Sequence, residues 1–299
     1  MRSVLSFLLL SLVFASAISD EKVPAYLLRL PDSVDSVFIA ETSTARFHRF
    51  VNVAGKSVSY RGDSYMSIGD NGDHKHTSGD RKTPLGIYFV TEQLDTERMH
   101  EKYGYTAFTL DYPNALDRRM QRSGDGIWVH GVYRGGGQRP RFDTDGCIAL
   151  PNDALAELED YFQPNVTPVL IARTVEWTTP SRVEALRREL EAVVGLWVDS
   201  RQRGDLHTFL SLYDDDFQHW GMNKSEWIVL QTETLRSRFI QSIAVDDLTL
   251  LADTIEVETY LSRFRLSTRE TGKTVVVTRR LYWRRNKDGA LKLIAEDSG

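Results

Sequence analysis

The stretch IWVHGVYRGGGQRPRFDTDGCIAL, Ile127 to Leu150, decides the reading of the chain, and it holds the only cysteine in 299 residues, Cys147. Ile127, Trp128 and Val129 form a compact apolar run suited to a buried strand, which delivers His130 at its end, where a side chain can face a cleft. Gly131 lets the backbone turn. Gly135, Gly136 and Gly137, with Gln138, Arg139 and Pro140 behind them, fit neither a helix nor a central strand, so the middle of the stretch is a loop. Thr144, Asp145 and Gly146 bring the chain back to Cys147, and Ile148, Ala149 and Leu150 return it to a core. A cysteine and a histidine at the mouths of two buried elements make a nucleophile and base pair.

A lone cysteine is more often a small buried hydrophobe than a catalyst. The first residues bear on that choice. MRSVLSFLLLSLVFASAISD carries Arg2, an apolar run from Val4 to Phe14 and a small-residue site at Ala15, Ser16 and Ala17, the pattern of a secretory signal peptide over residues 1–19. No later segment reaches about 18 consecutive apolar residues, so no stable membrane span is expected. A single cysteine permits no internal disulfide. A free thiol kept in an oxidising, exported setting is a liability, which calls for a chemical reason to keep it.

With 37 basic against 42 acidic residues, and neither half strongly basic, the chain does not look like a nucleic-acid binder. About 280 residues after the signal suffice for two cores. Residues 34–173 read as a β-rich domain, with strands at about 34–40, 45–53, 57–60, 65–68, 87–91, 105–111 and 167–173. Arg61, Gly62 and Asp63 punctuate two of these strands. Asn114 to Arg122 reads as a short basic helix exposing Arg118, Arg119 and Arg122, a solvated face. Asn152 is placed to cap a helix carrying Leu155, Leu158 and Phe162. In the loop GDNGDHKHTSGDRKTPLGIYFV, His74 and His76 lie near Asp70, Asp73 and Asp80. Their spacing does not match a zinc site, so no metal and no cofactor is expected, and the histidines read as solvated.

The His130–Gly131 pair, TDGCIAL at 144–150 and GDRKTPLGIY at 79–88 together resemble the YkuD family of L,D-transpeptidases over roughly residues 37–173. That resemblance implies that Cys147 is the nucleophile, His130 the base and the Gly131 carbonyl the group orienting the imidazole. Two positions depart from the family pattern: Asp145 stands where a second histidine is usual, and Ala149 where arginine is common. On chemical grounds an imidazole beside a thiol can take its proton and leave a thiolate. The oxyanion formed on attack needs donors, and the backbone N–H groups of Gly146 and Cys147 are candidates. Thr144 and Asp145 flank them as candidate substrate or water ligands, and Arg134, Arg139 and Arg141 as candidate receivers of substrate carboxylates.

Beyond Thr174 the composition changes. Residues 174–180 read as a linker, and Ser181 with Glu184 as a capping box for a helix burying Val183, Leu186, Leu190, Val194 and Trp197. Helices at about 205–213 and 225–239 and four strands at about 243–251, 254–267, 274–285 and 290–295 follow, with turns at Thr271–Gly272 and Asp288–Gly289. Residues 181–299 thus form an α+β domain, three helices and then a curved antiparallel sheet, which resembles the SnoaL-like, nuclear-transport-factor-two-like cone. Such a cone offers room for a small ligand or glycan, and Trp220, Trp227, Tyr260 and Trp283 are candidate lining residues, with core packing the favoured role. His207 and His219 have no neighbouring nucleophile or paired carboxylate to work with.

A YkuD-like domain joined to this cone resembles the exported peptidoglycan L,D-carboxypeptidases that set helical or curved cell shape. The resemblance implies peptidoglycan stem peptides as substrate, the periplasm as location and hydrolysis of the bond to a terminal D-alanine. An L,D-transpeptidase and a non-catalytic wall-binding scaffold are the alternatives.

Overall fold

The computed structural model describes residues 22–237 and 240–299. The expected signal segment lies outside the described residues. The chain builds two large sheets. The first has eight strands in the order Ile148–Leu150, Trp128–Gly131, Thr106–Leu110, Gly86–Asp95, Pro168–Ala172, Ser36–Glu41, Arg46–Val53 and Ser57–Tyr65. Ser36–Glu41 and Pro168–Ala172 sit side by side near its middle and are buried along their whole length, which is why both read as apolar runs without alternation. Phe38, Phe47, Phe108 and Phe162 stack on one face of this sheet with Val129, Ile148 and Leu150. The strand Ser57–Tyr65 is continuous, so Arg61, Gly62 and Asp63 do not punctuate it; Gly62 takes a left-handed φ of 103° beside a register shift in the pairing with Arg46–Val53.

The second sheet has seven strands: Met222–Asn223, Tyr213–His219, Leu291–Asp297, Lys273–Arg285, Thr259–Glu270, Ile240–Ala252 and Leu27–Arg29. Helices Pro180–Arg203, Leu206–Ser211 and Lys224–Ser237 accompany it, giving the α+β cone. Trp197, Phe209, Phe217, Trp227, Tyr260 and Trp283 fill its core. Trp220 does not join them: it is 69% exposed, with the Arg118 guanidinium 4.1 Å above its ring. The helix Pro180–Arg203 is capped by Thr179, whose side chain accepts from Arg182 N–H, and Ser181 lies inside the helix. Proline at N1 explains the two-residue difference from the expected box.

One expectation about the connection is corrected. Residues 174–180 are not a free linker, because Val175 is buried and donates its N–H to Glu41, and Trp177–Thr178 pairs with Val23–Pro24. Near the start of the described chain, Leu27–Arg29 joins the second sheet, pairing antiparallel with Ile240–Ala252. Tyr26, Leu27 and Leu30 then pack with Val37, Ile39, Leu251, Leu261 and Tyr282 in a core that draws on both sheets. Each large aliphatic side chain buried there contributes roughly 1.5–3 kcal/mol.

The arginines of the helix Ala115–Arg119 and its C-terminal turn are corrected as well. Arg122 is buried against Asp117 at 3.1 Å, Arg118 reaches Asp297 at 2.9 Å and Arg119 reaches Asp216 at 2.6 Å. They are a seam between the two sheets and not a solvated face. Arg280 completes the seam, bonding Asp297 through Nε at 2.6 Å and Nη2 at 2.8 Å, and Asp111 through Nη1.

Candidate active site

The strands Trp128–Gly131 and Ile148–Leu150 run parallel and in register, with Ile148 opposite Val129 and Ala149 opposite His130. Side chains alternate along a strand, so Val129, Ile148 and Leu150 go to the core while Trp128, His130 and Cys147 share the other face. That face forms the floor of a cleft of about 520 Å³ lined by Cys147, His130, Trp128, Tyr103, Lys102 and Arg139, among others. The two expected catalytic residues are therefore brought together by strand pairing.

The turn before Cys147 is tightly specified. Gly146 has φ +125°, and a Cβ there would lie 2.7 Å from the Lys82 carbonyl oxygen. The Gly146 carbonyl accepts from Thr83 Oγ1 at 2.9 Å, which gives the buried threonine of GDRKTPLGIY its place. Thr144 Oγ1 accepts from Gly146 N–H at 3.1 Å and donates to the Cys147 carbonyl at 2.7 Å. Thr144 thus braces the turn from within the cleft lining. Of the two candidate oxyanion donors, Gly146 N–H is the one engaged with Thr144 in this structure.

His130 is buried and its Nδ1 lies 2.6 Å from the Gly131 carbonyl oxygen, the orientation expected of that pair. The thiol of Cys147 points to the Gly126 carbonyl at 3.3 Å. Burial holds the imidazole down to about 4 and pushes the thiol up to about 11. At neutral pH both shifts favour the uncharged forms, a thiol beside a neutral imidazole.

The flanking residues divide. Arg139 lines the cleft, its Nε on Asp143 at 2.8 Å. Arg134 does not: it donates to the carbonyls of Thr96, Glu97 and Gly104, clamping the segment that carries Lys102 and Tyr103. Arg141 is turned to the Thr42 carbonyl and over the Phe142 ring. Asp145 is 68% exposed at the rim, 3.2 Å from Lys102 Nζ and 3.5 Å from Arg81 Nε, so its carboxylate is paired with cations. Burial works against the Lys102 ammonium, yet its bond to Asp145 leaves its pKa above the ordinary lysine value.

Sequence reading missed Lys102, Tyr103 and Arg81. The Tyr103 ring stands edge-on to His130 at 5.2 Å and 5.1 Å from Trp128, forming one wall of the cleft. The signal available was Gly104, with φ +71°, whose Cα would be crowded by any bulk at Gly131. His74 and His76 pack on each other at 4.4 Å, while Asp73 is paired with Arg173 and Asp80 with Lys75. Among the described residues no group of three or more His, Cys, Asp or Glu side chains is placed to hold a metal.

A buried cysteine and a buried histidine that line one cleft are the arrangement a cysteine nucleophile and its base require. Residues 38–171 match the family model described as YkuD, the L,D-transpeptidase catalytic domain, and that part of the chain is a YkuD domain. The match supports a cysteine enzyme of the L,D-transpeptidase type. Among solved structures, Bd1075 of Bdellovibrio bacteriovorus is similar over 93% of this chain and 98% of its own, with TM-score 0.76 and 23% identity. Pgp2 of Campylobacter jejuni, titled a helical cell shape determining protein, is similar over 93% and 95%, with TM-score 0.76 and 22% identity. Both share the two-part fold. No curated protein sequence matches the chain significantly.

Proposed function

We propose that the protein is an exported L,D-carboxypeptidase that removes the terminal D-alanine from peptidoglycan stem tetrapeptides. The observation that carries the reading is the cleft itself, where Cys147 and His130 share one strand face and the Gly131 carbonyl occupies His130 Nδ1. In this reading Sγ attacks the carbonyl at the L-centre of diaminopimelate while His130 Nε2 takes the thiol proton. The tetrahedral oxyanion collapses, the C–N bond breaks, and the imidazolium gives its proton to the departing D-alanine amine. Water then attacks the thioester, His130 accepts its proton, and the thiol is restored as the tripeptide acid leaves.

Support for water as acceptor comes from the departures at Asp145 and Ala149. Ala149 is almost wholly buried and presents no cation to a second, acidic stem, and Asp145 engages Lys102 and Arg81, which leaves those rim cations less free to receive one. The cell-shape role in the printed title of Pgp2 is consistent with a trimming enzyme of the envelope. Among the described residues no helix is long and apolar enough to cross a membrane. The family model itself favours the alternative, an L,D-transpeptidase. A non-catalytic wall scaffold is the third reading, which the intact Cys147 and His130 pairing speaks against.

The test is incubation with disaccharide tetrapeptide at high concentration, with products resolved by mass. Tripeptide plus free D-alanine supports the proposal; dimers joined between two diaminopimelate residues replace it with the transpeptidase, and no product leaves the scaffold. Export is checked by sequencing the mature N-terminus, expected shortly after Ala17.

A further inference from the structure

The peptide unit between Gly131 and Val132 makes two contacts with opposite ends. Its carbonyl oxygen lies 2.6 Å from His130 Nδ1, and its N–H donates to Asn152 Oδ1 at 3.1 Å. In a trans peptide the C=O and N–H lie in one plane and point in opposite directions, so fixing the N–H fixes the aim of the carbonyl. A bonded N–H also makes the carbonyl of the same unit a stronger acceptor.

Asn152 is itself held on several sides. Its Nδ2 donates to the Tyr133 carbonyl at 3.1 Å, and its Oδ1 sits so close to Gly131 and Gly104 that a Cβ on either would approach it to 2.3 and 2.8 Å. The side chain is not used as the expected helix cap: Pro151 holds the N-cap position of Asn152–Leu158 without a side-chain bond, and the Asn152 amide turns back to the segment after His130. Glycine at 131 and 104 leaves room for the amide.

We propose that Asn152 is a positioning residue for His130: by holding Val132 N–H it aims the Gly131 carbonyl at Nδ1, keeps the proton on Nδ1, and leaves Nε2 as the basic nitrogen. Catalysis through His130 rests on the function proposed above; the tautomer does not, and it is measured without substrate.

The experiment uses the full mature chain labelled with ¹⁵N-histidine. In the unaltered protein the His130 ring is expected to be the Nδ1–H tautomer at neutral pH. In Asn152→Ala the ring is expected to become a tautomer mixture, with kcat for D-alanine release lower by on the order of tenfold or more and KM unchanged, since general-base catalysis is worth roughly 10²–10⁴-fold. Asn152→Asp keeps an acceptor for Val132 N–H and loses the Nδ2 donor, so it is expected to retain the Nδ1–H tautomer and recover most of kcat. An alanine variant with an unaltered tautomer overturns the inference, as does an aspartate variant as mixed as the alanine one. Should the alanine protein not fold, Asn152→Ser is read the same way, its shorter hydroxyl suiting a helix N-terminus without reaching Val132. If the unaltered protein releases no D-alanine, the function fails while the tautomer comparison still decides the role of Asn152.

Discussion

Replacing Arg280 by methionine removes the cation at the centre of the seam between the two sheets. Its side chain is 9% exposed, and its two carboxylate partners are 13% exposed for Asp111 and 2% for Asp297. Breaking a buried pair by removing one partner costs about 3–5 kcal/mol, because a charge is left uncompensated. Here the lower end applies: Asp297 keeps Arg118 at 2.9 Å, and Asp111 keeps only the Phe89 N–H at 2.7 Å. A loss of about 3 kcal/mol corresponds to a fall in Tm of roughly 6–12 °C at about 2–4 °C per kcal/mol, with the low end expected for a chain this long. Burial already raises the Asp111 pKa, and losing Arg280 raises it further. A raised carboxyl binds its proton in the folded state first, so stability is regained as pH falls, and the deficit is expected to be smaller at pH 5 than at pH 8. Thermal melts of the variant and of Arg280→Met with Asp111→Asn at both pH values are the assay; the double variant should recover part of the loss. A Tm shift below about 2 °C, or a deficit that grows with acid, would refute the account of the seam.

Cys147→Ala and His130→Ala are each expected to abolish D-alanine release while circular dichroism stays unchanged, and the double variant should be no worse than either; turnover by a folded Cys147→Ala protein ends the thiol mechanism. The acid limb of kcat/KM should fall near pH 4, because the buried imidazole is held down to about 4 and only its neutral form accepts the thiol proton; a limb near 6.5 would contradict the dry site. With the thiol pushed up to about 11, alkylation of Cys147 by iodoacetamide at pH 7 should be slower than that of free cysteine, and faster alkylation would indicate a resting thiolate.

That Cys147 and His130 meet in one cleft was legible because the signals are local: an apolar run ending in histidine, and a glycine turn ending in cysteine, each a few residues long. The two β-rich and α+β halves were legible for the same reason, through periodicity and turn residues such as Thr271–Gly272. What was not legible depends on partners far away in the chain. Arg118 and Arg119 read as solvent-facing because Asp297 and Asp216 lie far along the sequence, and nothing in a charge run says which carboxylate meets it. Arg134 and Arg141 read as substrate ligands because a guanidinium in a glycine-rich loop looks free; in the fold both are spent on backbone carbonyls. Lys102 and Tyr103 went unseen since the segment around them has no periodic pattern and forms only a short 3-10 turn, Glu101–Tyr103.

The pairing of Leu27–Arg29 with Ile240–Ala252 has a consequence for how the molecule is made. Those first residues bond to Leu250 and Leu251, so a strand synthesised at the start must wait for more than two hundred residues before its neighbour exists. Contacts of such sequence separation slow folding, since the closing entropy is met before the contact forms. Until then Tyr26, Leu27 and Leu30 are apolar side chains without a core, a binding site for holdase chaperones and a point of aggregation. A fragment ending near Arg173 would carry that sticky segment permanently, whereas one beginning at Pro180 would expose the bare edge of Ile240–Ala252. The two halves are therefore poor candidates for separate expression, and insertions or permutations that detach the first strand should lower the yield of soluble protein more than its melting temperature.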